Sequence, residues 1–424
     1  MNIIRESYMN LRSIIPSNLH LQNYNDLEEE ILDLTKDCYK QLLLLDEQIM
    51  KNENFKFEGV LDEIKSIVQI VLDRTWENLN TGHWSQVPES QRFIYSLGSL
   101  FLSMISVMQA FLVQSDQQKY CLEKGLKDAD MGLLLGCAYR TELTKAAEIL
   151  SNCITKLDSP NETTGTSSLI CGSLLPEFTG VKGCEIDTLS CPSLETFYAI
   201  FFLPRKPVKL EACMTHWPAL NKWNSLDYIS AKAGGRTVPV EIGSRYDEEE
   251  WSQSLMTVRE FIRTHITSEN KQKRTGYLAQ HQLFNQIPEL LTDICEPEYC
   301  CCSDKENTES GGTDINAWFG PAGTISPLHY DPKHNILAQV VGRKRVILYD
   351  PKYSDCLSCH NSKLLKNTAQ VDPENPDYKQ FPNYKNVPAL ETILHPGEML
   401  YIPPTWWHHI RSLDVSFSVS FWWE

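Results

Sequence analysis

Two hydrophobic periods divide the chain. Between residues 24 and 157 apolar positions recur every three or four residues. In "NDLEEEILDLTKDCYKQLLLLDEQI" the stripe is Leu27, Ile31, Leu34, Cys38 and Leu42, which predicts an amphipathic helix with Asn25 as N-cap and acids in its first turn. Further helices are predicted over 58–80, 88–115 and 130–157. Antiparallel helices with short connections make a bundle or a stacked array, and no clear repeat period is present. From about residue 195 the period shortens. "TFYAIFFL", "TVPVEI", "INAWFG", "NILAQVV", "RVILYD", "GEMLYIP", "WWHHIRS" and "VSFSVSFWW" read as short strands divided by Gly, Pro, Asn and Asp, the signature of a sandwich, jelly roll or barrel.

The stretch "DSPNETTGTSSLICGS", 158–173, is dense in turn-forming residues and marks a linker. The expected organisation is therefore multidomain α plus β: a helical domain over 1–157, a linker over 158–184 and a β domain over 185–424. A second break, "CEPEYCCCSDKENTESGGTD" at 295–314, is acidic and thiol-rich and is expected as a mobile loop.

One segment imitates a membrane span. Phe93 to Val113 carries no charge and is long enough to cross a bilayer. Ser96, Ser99, Ser103 and Ser106 nevertheless fall at helical spacings, with Gln109 continuing the row. That polar stripe predicts a buried helix of the helical domain, with a membrane helix as the alternative.

Composition narrows the classes. A chain of 424 residues exceeds one ordinary core, in keeping with two domains. A net charge of -16 argues against a general binder of nucleic acid or anionic membrane and favours basic partners. The N-terminus "MNIIRESYMNLRSIIPS" has charges where a secretory segment is apolar, so the 14 cysteines are expected as reduced intracellular thiols. The sequon Asn161-Glu162-Thr163 is then silent.

Candidate chemistry begins at "PLHYDPKHN", 327–335. On an extended strand residues i and i+2 share a face, so His329 and Asp331 aim together while Tyr330 turns away. Alone, His-x-Asp is more often a surface loop. A second histidine changes this. In "YIPPTWWHHIRS" alternation groups Trp406, His408 and Ile410 against Trp407, His409 and Arg411; the face ending in arginine is expected to see solvent, so His408 points inward. Two imidazoles and one carboxylate form the facial triad of non-haem Fe(II) oxygenases and leave coordination positions open, whereas zinc prefers a closed tetrahedron or a single water position. Lys344 opens "KRVILYD" on the inward side, and a buried ammonium requires an anion. A dicarboxylate cosubstrate would supply it. Ser416, Ser418 and Ser420 share a face with Trp422 and leave room for a ligand, while Phe417, Val419 and Phe421 seal the sandwich.

"TISPLHYDPKHNILAQVVGRKRVILYDP", "GEMLYIPPTWWHHIRSLDVSFSVSFWW", "TGYLAQHQLFNQIPEL" and "INAWFGP" closely resemble the Jumonji-C oxygenases, over roughly 185–424. The resemblance implies a double-stranded β-helix, a cupin-like jelly roll, and Fe(II), 2-oxoglutarate and O2 as cofactors. It implies His329, Asp331 and His408 as metal ligands, Lys344 as partner of the distal 2-oxoglutarate carboxylate, and Tyr277, Ser326, Asn335 and Trp422 as the rest of that pocket. It also implies oxygenation of a protein or peptide carrying a basic side chain. Arginyl C-3 hydroxylation is the first expectation, with histone N-methyl-lysine demethylation or a non-catalytic adaptor as alternatives. Glu241, Trp251 and Trp318 are the candidate substrate contacts: a carboxylate accepts a guanidinium bidentately, and the indoles stack. A strand-edge acid and two core aromatics would read the same way. The family points to the nucleus, with the cytoplasm second, and the helical domain is expected to bind protein partners, with neither nucleic acid nor membrane among them. "CLSCH", 356–360, matches a haem-attachment or zinc pattern, but its context favours free thiols.

Overall fold

The structure is a computed structural model, which describes residues 2–16, 18–19, 21, 24, 26–51, 57–81, 86–157, 180–248, 250–268, 274–304, 312–362 and 365–424. The Asn25 cap, the 158–173 linker and the sequon lie outside these residues. The chain divides into two units, Met1–Thr163 with Gly235–Thr237, and Thr164–Gly234 with Val238–Glu424.

The first unit holds α1 (Asn2–Arg12), α2 (Glu29–Met50), α3 (Phe57–Leu79), α4 (Glu89–Leu112), α5 (Ser115–Leu135) and α6 (Arg140–Leu157). The single helix expected over 130–157 is in fact the end of α5 and all of α6. The chain breaks at Gly136, which is extended, and at Tyr139, which adopts φ 51. α4 is the apolar segment that could span a membrane, and it forms the centre of this unit's core, 94% of its most apolar window being buried. Its serine stripe packs on glycines of α5. A Cβ at Gly125 would stand 2.8 Å from Ser106 Cβ, and one at Gly132 would stand 2.7 Å from Ser99 Cβ. Ser103 Oγ donates to the carbonyls of Ser99 and Gly125 at 2.9 and 3.0 Å, so the polar stripe is satisfied inside the contact. Gly132→Ala therefore tests close approach against helix propensity. Alanine gains about 1 kcal/mol in a helix interior, whereas overpacking costs roughly 1–3 kcal/mol. The expected outcome is a lower urea midpoint with an unchanged slope.

The second unit contains β1 (Cys184–Glu185), β2 (Thr188–Ser190), β3 (Val208–Glu211), β4 (Thr237–Ile242, whose first residue groups with the helices), β5 (Ser252–Thr257), β6 (Gly276–His281), β7 (Asp314–Gly320), β8 (Ile325–His329), β9 (His334–Val341), β10 (Lys344–Tyr349), β11 (Leu390–Leu394), β12 (Met399–Ile402), β13 (Trp407–Ser412) and β14 (Ser416–Trp423). They form a five-stranded sheet in the order β1-β11-β10-β13-β8 and a nine-stranded sheet in the order β2-β3-β12-β9-β14-β7-β6-β4-β5. Non-sequential neighbours of this kind, paired mostly antiparallel, are the winding of a jelly roll. β1, β2, β3, β5, β6 and β11 fall outside the strands predicted from pattern, being short and mixed in composition.

Three expectations are corrected. "TFYAIFFL" is helical, α over Leu194–Phe197 and π over Tyr198–Phe202. The Ser193 hydroxyl accepts from the Thr196 amide, and Phe197, Phe201 and Phe202 bury one helical face, so capping and packing override strand propensity. The 295–314 break is anchored rather than loose over its described part: Glu298–Cys301 is a 3₁₀ turn that buries Tyr299 and Cys300 in the core, next to buried Cys302. Ser416 and Ser418 leave no cavity, because Gln339 fills the space: it donates to Ser416 Oγ at 3.0 Å and accepts from Ser418 Oγ at 2.7 Å.

Candidate active site

The site lies between the two sheets, where β8 and β13 pair. The register sets His408 opposite His329, and a bulge follows before Ile410 meets Ser326. Asp331 follows β8 by two residues, which keeps it on the side of His329. Its Oδ2 is 3.5 Å from His408 Nε2 and 3.9 Å from His329 Nε2, and the two imidazole centroids are 4.2 Å apart. One ligand atom from each of the three residues lies within 4.8 Å of the others.

Each imidazole is held by backbone. His329 Nδ1 donates to the Pro327 carbonyl at 2.7 Å, and His408 Nδ1 to the Trp406 carbonyl at 3.0 Å. Both tautomers are thereby fixed with Nε2 lone pairs facing Asp331, the usual means of orienting metal-binding imidazoles. Burial, aided by the neighbouring His408, pushes His329 down to about 4, so it is neutral at physiological pH. Burial alone would raise the Asp331 carboxyl, but its contacts with His408 and His329 outweigh it and hold the group below its ordinary range.

Lys344 begins β10 and is buried on the same interior. Its Nζ donates to Tyr277 OH at 3.1 Å, and no described carboxylate stands within ion-pair distance. Burial pushes this ammonium down to about 7. Asn335 on β9 pairs with Trp422 on β14, and Asn335 Oδ1, Trp422 Nε1 and Asp331 Oδ2 are buried without hydrogen-bond partners. A chamber lined by Tyr277, Ser326, Asn335, Lys344 and Trp422 together with the triad thus offers three inward donor atoms, one unpaired cation and several unsatisfied polar atoms. This set fits a metal ion chelated by a small dianion.

The chamber opens into a cleft of about 720 Å³ that shares Tyr277, Trp318, Ser326, His329, Asp331 and Trp422 and adds Glu241 and Trp251. Every candidate site residue is therefore brought to one of these two spaces. Trp318 Nε1 donates to Ser420 Oγ at 2.9 Å, which fixes the indole between them. Glu241, on the β4 face opposite buried Val238 and Val240, is raised by burial, with Trp251 partly offsetting this.

Sequence reasoning missed Tyr246, Gln253, Gln280, Leu365, Asn367 and Thr368, which also line the cleft. Tyr246 sits edge-on to His329 at 6.2 Å and hydrogen-bonds Thr368. Residues 365–369 cover the free edge of β8: Ala369 N donates to Leu328 O at 2.8 Å and Tyr330 N to Asn367 O at 3.0 Å. No periodicity announces such an irregular segment. The expected solvent face of β13 is another correction. His409 is buried and Arg411 is tied to Glu374, because the 351–389 segment packs over that face. His408 still points inward, through alternation alone. Among the described residues Cys356, Cys359 and His360 do not converge as a ligand group, and the 13 described cysteines are free thiols.

Residues 194–424 match the cupin-like domain family. The chain is 40% identical to the lysine-specific demethylase 8 of Xenopus tropicalis, covering 87% of this chain and 90% of the relative, and 43% identical to that of Danio rerio, covering 84% and 86%. It is 41% identical to the Jumonji C domain-containing protein 5 of Drosophila melanogaster, covering 86% and 88%. With the His-Asp-His triad at its centre, the chain belongs to the cupin-like Jumonji-C family of Fe(II)- and 2-oxoglutarate-dependent oxygenases.

Proposed function

We propose that this oxygenase acts on a basic side chain of a protein, with His329, Asp331 and His408 as metal ligands and Lys344, Tyr277, Ser326, Asn335 and Trp422 holding 2-oxoglutarate. The observation that carries the substrate class is Glu241: a mostly buried carboxylate facing the cleft, with no described cation paired to it, among the aromatic rings of Tyr246, Trp251 and Trp318. A cationic side chain would find there both a countercharge and π faces.

N-methyl-lysine demethylation is the first reading, because relatives that match most of the chain bear the name lysine-specific demethylase. This reverses the order expected from sequence. Arginyl C-3 hydroxylation is the second, favoured by the capacity of Glu241 to accept a guanidinium bidentately. When bound, iron, 2-oxoglutarate and O2 supply the oxidising power that turns a C–H bond into C–OH, and a hydroxylated N-methyl group then leaves as formaldehyde. The protein's own residues do the rest. His329 stays neutral and, like His408, aims its Nε2 atom at the metal position, Lys344 supplies the countercharge, and Trp318 bridges the chamber and the cleft where the substrate would sit. A nuclear setting, with the cytoplasm second, and protein partners for the helical unit complete the reading; the demethylase relatives support the former, and the first unit's acidic helices the latter.

Mass spectrometry of methyl-lysine and arginine peptides incubated with Fe(II), ascorbate and 2-oxoglutarate tests it, with His408→Ala as blank. Loss of a methyl group with formaldehyde supports demethylation, and gain of one oxygen on arginine replaces it with hydroxylation. In either case Glu241→Gln is expected to raise the substrate KM by roughly 10–100-fold, the range of one hydrogen bond to a charged group. Peptide-independent 2-oxoglutarate turnover should not change. Equal KM values for both proteins would remove Glu241 from substrate binding.

A further inference from the structure

On the face of β13 opposite His408 lies a second convergence of donors. One ligand atom each from Asp372, Glu374 and His409 lies within 4.8 Å of the others. His409 is 1% exposed, and neither of its ring nitrogens has a hydrogen-bond partner. A buried imidazole with both nitrogens unsatisfied is a costly arrangement unless something unseen ligates it.

The charges nearby point the same way. Arg245 donates to Asp372 at 2.9 Å and also pairs with Asp247. Arg411 donates to both Glu374 oxygens at 2.8 and 2.7 Å, and Arg345 lies 3.6 Å from Glu374 and bonds Glu391 at 2.6 Å. Three guanidinium groups thus pair with Asp372, Asp247, Glu374 and Glu391, so the carboxylates beside His409 stay ionised, while Asp372 and Arg411 remain open to solvent at about a third of their side-chain surface (31% and 33%).

We propose that Asp372, Glu374 and His409 bind a second divalent transition-metal cation, distinct from the oxygenase centre. One imidazole with two carboxylates suits Zn2+, Mn2+ or Fe2+ better than the all-oxygen preference of Ca2+ or Mg2+. The position is architectural. The cation cross-links the 351–389 segment to β13, one residue from His408. Asp372 follows the cleft-lining Asn367 and Thr368, and its partner Arg245 precedes Tyr246, so occupancy stiffens the wall of the cleft.

The test uses tag-free, full-length protein in which His329→Ala/Asp331→Ala has removed the oxygenase centre, titrated with Zn2+. One equivalent is expected to bind, to raise the melting temperature and to give an X-ray absorption spectrum with one imidazole nitrogen and oxygen donors. Adding Asp372→Asn or His409→Gln should abolish that equivalent while circular dichroism stays native. No binding by the parent would mean that the three arginines satisfy the cluster unaided, and would overturn the proposal. So would an equivalent that survives both added substitutions, or a spectrum dominated by sulfur, which would assign the metal to free thiols. The parent's stoichiometry and spectrum decide the matter even if both added variants fail to fold.

Discussion

Replacing Asp331 with alanine lowers 2-oxoglutarate turnover by more than about 100-fold while the fold persists. The magnitude follows from comparison: losing a group that merely orients a metal ligand typically costs roughly 10–100-fold in affinity or activity, and Asp331 is itself a ligand candidate. The fold persists because the backbone, not the carboxylate, places the imidazoles. Pro327 and Trp406 carbonyls hold His329 and His408 whether or not Asp331 is present. Succinate release together with thermal melting is the measurement, and turnover within a few-fold of wild type would remove Asp331 from the metal centre. pH adds a sign. His329 titrates near 4 when folded, against an ordinary value of 6.5, so the unfolded chain binds more protons between those values. Metal-free protein therefore loses stability as pH falls from about 6.5 to 4, and that part of the loss disappears in His329→Ala.

The site is legible in sequence where chemistry and alternation coincide. His329 and Asp331 are two apart on one strand edge, Lys344 is an inward cation with no acid in its strand, and His408 alternates with an arginine-bearing face. Each inference needs only the two-residue period. What sequence does not show is set by contacts distant along the chain. Nothing in "WWHHIRS" says that residues 351–389 fold over it, so alternation sends His409 and Arg411 to solvent, yet they pack against Asp372 and Glu374. The serines of β14 read as room for a ligand, yet Gln339, far off in sequence, occupies two of them. "TFYAIFFL" misleads for a local reason: aromatic and β-branched residues favour strands, but a serine cap and a helical spacing of phenylalanines decide the outcome. The helices read better, since a stripe every three or four residues is a long and redundant signal; what it misses is α1, most of α5 and the break at Gly136.

Lys344→Met should both stabilise the cosubstrate-free enzyme and abolish its grip on 2-oxoglutarate. The ammonium is buried, bonded only to a phenol, and depressed from 10.5 to about 7. The unfolded chain keeps this proton up to its ordinary value while the folded chain releases it near 7. Stability of the empty enzyme therefore rises with pH across that window, and the full burden is present below it. Each tenfold weakening of proton binding corresponds to about 1.4 kcal/mol, so removing the amine from a site of similar volume is worth on the order of a few kcal/mol at neutral pH and below. The rise of melting temperature with pH over the same window should flatten. Binding moves the other way. Removing one partner of a buried ion pair costs roughly 3–5 kcal/mol, which predicts an affinity loss for 2-oxoglutarate of about 10²–10⁴-fold. In the wild type, binding above pH 7 must take up a proton, so affinity should fall by up to about tenfold per pH unit there. Calorimetric titration at several pH values, beside thermal melting, reads all three effects. A Lys344→Met protein that melts lower, or that binds 2-oxoglutarate as tightly as wild type, would show that the lysine is not the waiting countercharge of the chamber. The expected opposition of the two effects is the sign of a residue placed for its ligand at the fold's expense.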